Sequence, residues 1–147
     1  MKILFLFCLT SFFQPGNSWM INFQEAKETA QKENKYILLN FSGSDWCGPC
    51  IKMHNEILES DVFKQYAESK LVLLNADFPR LKKNQLSKTQ SKMNDDLAGL
   101  YNTKGIFPMT LLLNQQGMVI ISWEGYYQKG ASNFTEEVKS SLKNKNG

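Results

Sequence analysis

The stretch Phe41-Ser42-Gly43-Ser44-Asp45-Trp46-Cys47-Gly48-Pro49-Cys50-Ile51 decides how this chain reads. Just upstream, residues 36–41 (Tyr-Ile-Leu-Leu-Asn-Phe) form an almost continuous apolar run, as expected of a strand buried on both faces. Residues 42–45 are turn formers. From Cys47 to about Ser60 the pattern is helical, with Ile51, His54 or Asn55, and Leu58 on one side. Strand, turn, cysteine pair and helix follow one another directly.

Two cysteines separated by two residues close too short a loop to act mainly as a staple. Their position at a helix start suits chemistry instead. Unpaired backbone N–H groups and the positive end of the helix dipole favour a thiolate, and the thiolate is the attacking species. Cys47, which the turn leaves accessible, is the expected nucleophile. Cys50, one turn deeper, is the expected resolving thiol that attacks the mixed disulfide formed on Cys47. Gly48 permits a tight approach into the helix, and Pro49 loses no hydrogen bond there.

Working outward, 147 residues suffice for one domain with a continuous core. An apolar fraction of 42% and a charged fraction of 21% are ordinary for a soluble protein, and a net charge of +3 demands neither nucleic acid nor membrane as partner. The N-terminus differs in kind. Lys2 precedes an apolar run that continues to Phe13 and breaks at Pro15-Gly16, with small residues Gly16 and Ser18 placed for a cut before Trp19. This is the order of a secretory leader, and the run is too short to cross a bilayer comfortably. Residues 1–18 are therefore expected to be a signal peptide and 19–147 a single domain. Phe7 stands where a lipidated cysteine would need a small residue, which argues against attachment at Cys8. Loss of Cys8 with the leader leaves Cys47 and Cys50 as the mature chain's cysteine pair.

The other elements follow from periodicity. Helices are expected at 22–35, capped by Asn22; after the Ser60-Asp61 cap signal; at 85–102 with Leu86, Met93, Leu97 and Leu100 or Tyr101 inward; and at 132–143 with Phe134, Val138 and Leu142 inward. Strands are expected at 71–76, 109–113 and 118–123, the last two joined by the turn 114–117. Together they describe an α/β fold, a mixed central sheet flanked by helices.

Trp46-Cys47-Gly48-Pro49-Cys50, with Gly105-Ile106-Phe107-Pro108-Met109-Thr110 further along, resembles the active site and cis-proline loop of the thioredoxin family. The resemblance covers nearly all of the chain after Trp19. It implies a thioredoxin-like fold with Pro108 cis beside the dithiol, and a Phe107 backbone that pairs with an extended substrate strand. Trp46 is expected to cover the dithiol and, with Phe107 and Pro108, to contact substrate. Within the family the chain is similar to the exported bacterial branch that includes the C-terminal domain of DsbD-type reductases. The features are residues 42–45, the segment 59–63 and the polar stretch 78–93. The implied activity is that of a periplasmic thiol–disulfide oxidoreductase that reduces protein disulfides, as a monomer without cofactor or metal. Its partners would be disulfide-containing exported proteins and a membrane or extracytoplasmic thiol electron donor. A binding or chaperone module, and a metallochaperone, are the alternatives.

Two departures from the family matter. Ordinary thioredoxins carry a buried aspartate in the strand before the motif, as a proton relay for the resolving cysteine; the matching residue here is Asn40, which cannot titrate. The relay is then absent or falls to Asp45, Glu56 or water, and a slower or less pH-sensitive second step is expected. Phe107 is bulkier than the usual residue before the cis-proline. Three further features read more blandly. His54 falls on a helix flank near the cysteines, without a fourth metal ligand. Arg80, Lys82, Lys83, Lys88 and Lys92 are interleaved with Asn, Gln and Ser and read as a solvated face, not a nucleic-acid surface. Trp123 and Tyr126 or Tyr127 read as the finish of the hairpin and its edge.

Overall fold

The computed structural model describes residues 18–143. The expected leader thus lies, except for Ser18, outside the described residues, and Cys8 with it. Four strands, β1 (Tyr36–Ser42), β2 (Leu71–Asp77), β3 (Met109–Leu113) and β4 (Val119–Glu124), form one sheet in the order β2-β1-β3-β4. β1 runs parallel to β2, whereas β3 is antiparallel to both β1 and β4.

Successive strand residues point to opposite faces, and each face has its own helices. Ile37, Leu39 and Phe41 pack with Ala26 and Ala30 of α1 (Phe23–Glu33) and Leu97 of α4 (Lys88–Tyr101). Leu38, Leu73 and Leu112 pack with α3 (Asp61–Lys70) and α5 (Ala131–Lys143) through Phe63, Ala67, Phe134 and Val138. A strand covered on both sides has no polar face, which is why β1 reads as an apolar run. Among the described residues, no helix is long and apolar enough to cross a membrane.

Caps set the helix ends. Asn22 Oδ1 accepts from the N–H groups of Gln24 and Glu25 at 2.9 and 3.1 Å, and Ser60 and Ser87 cap α3 and α4 in the same manner. α4 therefore starts after Ser87, later than expected, and residues 82–84 form a 3₁₀ turn instead. Of the two inward candidates at its end, Leu100 is 71% exposed. Tyr101 takes the inward place, its ring edge-on to Phe23 and its hydroxyl donating to Gly117 O at 2.7 Å. Before α1, Met20 lies along the outer edge of β2, donating to Leu73 O at 2.8 Å and accepting from Asn75 N–H at 2.9 Å.

One expectation is corrected and a second extended. The helix after the cysteines is α2 (Gly48–Lys52) running into a π-helical segment, Met53–Leu58. The buried stripe runs through Cys50, Met53, Ile57 and Leu58, one position off the expected phase, leaving Ile51 42% exposed and His54 and Asn55 outside the core. Trp123, near the end of the border strand β4, and Tyr127 just beyond it do finish the hairpin, but their side chains turn into the core. Their rings pack on the fully buried Phe134 at 4.8 and 5.3 Å. Their polar ends both reach Glu137: Trp123 Nε1 donates to Oε2 at 3.0 Å and the Tyr127 hydroxyl to Oε1 at 2.6 Å.

Burial, reinforced by Glu137, pushes the Tyr127 phenol up to about 12. The same hydroxyl, then the Trp123 N–H, holds the Glu137 carboxyl below the usual range. A carboxyl whose folded pKa lies below its unfolded value of about 4.3 stabilises the fold above that value and ceases to do so as pH falls through the folded one. Glu137→Gln should lower the unfolding free energy at neutral pH by about 1 kcal/mol, the gap between charged and neutral acceptors. That figure is a ceiling, since the side chain is 37% exposed and solvent screens it. In urea melts the difference should shrink below about pH 4; an equal difference at both pH values would contradict the assignment.

Candidate active site

Cys47 is the N-cap of α2, with extended backbone angles (φ −97°, ψ 96°), and its Sγ accepts from the Cys50 N–H at 3.2 Å. A thiolate there would receive the same N–H, and Pro49 in the first turn leaves no donor idle. The two cysteines are joined in a disulfide. Cys47 is 5% exposed and Cys50 2%, so the expected order holds but Cys47 is more enclosed than its turn suggested. Its N–H donates to Gly43 O at 2.9 Å and its carbonyl accepts from Ile51 N–H at 3.1 Å, which ties the residue in on both sides.

Trp46 stands at the centre of an aromatic wall. Its ring meets Phe107 edge-on at 5.6 Å, Phe107 meets Phe78 at 5.4 Å, and its Nε1–H donates to Phe78 O at 2.7 Å. The Arg80 guanidinium lies 3.6 Å above the indole, so Arg80, on an exposed loop as its sequence neighbours implied, also caps this wall. Asp45 arranges the approach: its carboxylate accepts from the N–H groups of Arg80 and Leu81, both at 2.9 Å, and from Asn84 Nδ2 at 3.0 Å. The Arg80 N–H, aided by Asn84 and Leu81, keeps the Asp45 carboxyl below the usual range. A cleft of about 820 Å³ opens beside this wall, lined by Trp46, Phe78, Arg80, Lys88 and Phe107 among others.

The Phe107–Pro108 peptide is cis. Asn102, 4% exposed, clamps the approach to it: Nδ2 donates to Ile106 O at 2.8 Å and Oδ1 accepts from Ile106 N–H at 2.9 Å. The hydroxyl of buried Thr110, two residues beyond Pro108, donates to Asn40 Oδ1 at 3.1 Å. Asn40 in turn donates to Asn75 Oδ1 at 3.2 Å, and Ser42 Oγ lies 3.3 Å from both Asn75 Oδ1 and Asp77 Oδ1. Asp77 ends this polar seam on the turn, accepting from the N–H and hydroxyl of Ser44.

The seam borders a second cavity, about 390 Å³, whose walls include Cys50, Asn40, Ser42, Asn75, Trp19 and His54. Asn40 is thus brought to Cys50. Asp45 and Glu56 are not among the lining residues: Asp45 holds the loop at 80–84, and Glu56 accepts from the Tyr126 hydroxyl at 2.5 Å. Sequence reasoning missed Asn75, Asn102, Thr110 and Arg80. For Asn75 a signal existed: Leu-Leu-Asn recurs at 38–40 and 73–75, one asparagine at the same place in each of two buried parallel strands.

Gly43 makes the wall possible. A Cβ built there falls 2.3 Å from Trp46 Cε2, a clash the indole could relieve only by leaving its place under Arg80. Gly43→Ala should cost about 1–3 kcal/mol of stability, as overpacking does. In NMR spectra the Trp46 indole N–H should lose its protection from exchange. Wild-type protection in the variant would show that the contact is not limiting.

The thioredoxin-like family profile matches residues 18–114. The chain is 35% identical over 122 residues to the disulfide bond reductase DsbH of Chlamydia pneumoniae, a match that covers 83% of this chain and 71% of that protein. A solved DsbH oxidoreductase structure superposes with a TM-score of 0.78 at 34% identity, over 88% of this chain and 86% of that one. The oxidised C-terminal domain of DsbD from Neisseria meningitidis shares the fold at a TM-score of 0.52 and 17% identity, over 80% and 90% of the two chains. On this evidence, together with its cysteine-capped helix and cis-proline loop, the chain belongs to the thioredoxin-like thiol–disulfide oxidoreductases.

Proposed function

We propose that this protein is an exported reductase of protein disulfides, working in the periplasm after removal of residues 1–18. The observation that carries the reading is the Cys47–Cys50 pair at the head of α2, with Cys50 N–H already directed at Cys47 Sγ. The reductase named among its relatives supports the direction of electron flow.

In the reduced protein the Cys47 thiolate attacks one sulfur of a substrate disulfide. The substrate S–S bond breaks, one substrate thiolate leaves, and a mixed disulfide joins Cys47 to the other sulfur. Cys50 then loses its proton and attacks Cys47 Sγ, releasing the second substrate thiolate, which takes up a proton. Two electrons have passed to the substrate, and the Cys47–Cys50 disulfide remains. An extracytoplasmic thiol donor restores the dithiol. Trp46, Phe107 and Pro108 border the substrate's path, the aromatic wall offering apolar contact and the Phe107 backbone a strand edge. Gly48 and Pro49 keep the turn between the cysteines short.

Insulin reduction tests the reading. Cys47→Ser should reduce turnover by at least about 100-fold, the usual consequence of losing a nucleophile. Cys50→Ser should instead accumulate a mixed disulfide detectable by mass spectrometry. A reduction potential near thioredoxin's, about −270 mV, is expected; one near −120 mV would mark an oxidant instead. Binding to unfolded proteins that survives both serine substitutions, without turnover in the wild type, would favour a chaperone module.

Export has its own test. Because Met20 already pairs with β2, a cut before Trp19 would leave the described fold whole. In a bacterial host, protein recovered from the periplasm should begin near Trp19. Protein retained in the cytosol with residues 1–18 intact would refute the assignment.

A further inference from the structure

Resolution of the mixed disulfide requires Cys50 to give up a proton. An unperturbed thiol, with a pKa of about 8.5, is mostly protonated at neutral pH, and burial disfavours the thiolate further. The transfer therefore needs an acceptor within hydrogen-bond reach, or one water away. Asn40 is amide-bonded into the seam and has no proton equilibrium to offer. Asp45 and Glu56 are occupied outside the cavity.

Apart from Cys50 itself, His54 is the one titratable side chain among the lining residues of the 390 Å³ cavity. It follows Cys50 by four residues on the same helix, a spacing that places side chains on one side. The space is ample for several waters, each taking about 30 Å³, and Asn40, Ser42 and Asn75 supply the polar partners that ordered waters need. The imidazole is 48% exposed, so a proton received from the cavity side can pass to bulk solvent. The charged groups nearest it are Glu59, whose Oε1 lies 3.7 Å from Nε2, and Lys64, whose Nζ lies 3.6 Å from the other Glu59 oxygen. Trp19 lies beside the ring, the two centroids 6.4 Å apart and tilted by 49°.

We propose that His54 is the proton acceptor for Cys50, working through water in the cavity the two residues share. As the Cys50 S–H bond breaks, the proton passes to the imidazole; the Cys50 thiolate forms the bond to Cys47 Sγ, and the substrate sulfur leaves with the electron pair of the broken mixed disulfide. This rests on the reading of Cys47 and Cys50 as a working dithiol. It assigns the family's relay task to the helix side of the cavity, opposite the strand position that Asn40 occupies.

Stopped-flow reaction of the reduced protein with dithiobis-nitrobenzoate separates the steps. The first thionitrobenzoate is released by Cys47 attack and the second by Cys50. In His54→Gln the second release should slow about 10- to 100-fold at neutral pH, the lower range for loss of an acid–base group. The pH profile of that second release should lose one limb relative to wild type. The first release should be unchanged. His54→Ala should regain rate in proportion to added imidazole, which a packing role would not do. A second release that matches wild type at every pH, an equal slowing of both releases, or no response to imidazole would each overturn the proposal. A wild-type protein that releases no second thionitrobenzoate would instead refute the dithiol reading itself.

Discussion

Everything at the site depends on how β1 hands over to α2. The strand is enclosed on both faces, yet within four residues the chain must leave the sheet and present a cysteine as a helix cap. Gly43 makes this feasible. Its carbonyl accepts from both Trp46 and Cys47 N–H, and its missing Cβ lets the indole fold back over the turn. Two carboxylates brace the result from opposite directions. Asp77 reaches from the neighbouring strand to the Ser44 backbone, and Asp45 reaches out of the turn to the backbone of Arg80 and Leu81. Because β1 and β2 run parallel and in register, both ends of this bracing lie at the same end of the sheet.

The dithiol consequently stands between two unlike environments. On the Trp46 side the wall is aromatic and cationic, open to a broad cleft, and suited to a polypeptide. On the Cys50 side the wall is polar and hydrogen-bonded, with a smaller cavity suited to water and protons. Under the proposed mechanism, contact with substrate and handling of the proton fall on separate walls, so the two half-reactions would have separable structural determinants.

Local patterns in the sequence were sufficient for some of this and not for the rest. The apolar run of β1, the helix caps at Asn22 and Ser60, and the cysteine motif are encoded by neighbouring residues, and each element forms where its pattern lies. The π-helical turn after Lys52 carries no periodic signature, and Ile51 is exposed because the buried stripe starts one residue earlier, at Cys50, whose thiol rather than an aliphatic side chain fills the inward place. Arg80 over Trp46, Asn75 against Asn40 and Glu137 beneath Trp123 join residues distant in sequence or read singly as solvated. The hairpin's end was legible at Trp123 and Tyr127, but not their burial, because a single distant carboxylate satisfies both polar ends inside the fold.

The strand-like contact of Met20 bears on how copies of this protein can associate. A sheet propagates between molecules through unpaired borders, and unlimited growth needs two of them. Here one border, β2, has its Leu73 carbonyl and Asn75 amide already occupied by the chain's own Met20. The opposite border is β4. Sheet-to-sheet addition through that side can join two molecules edge to edge, whereas addition along β2 would meet Met20 at the middle of the strand. A contact only one residue wide thus blunts the middle of that border against pairing with another chain.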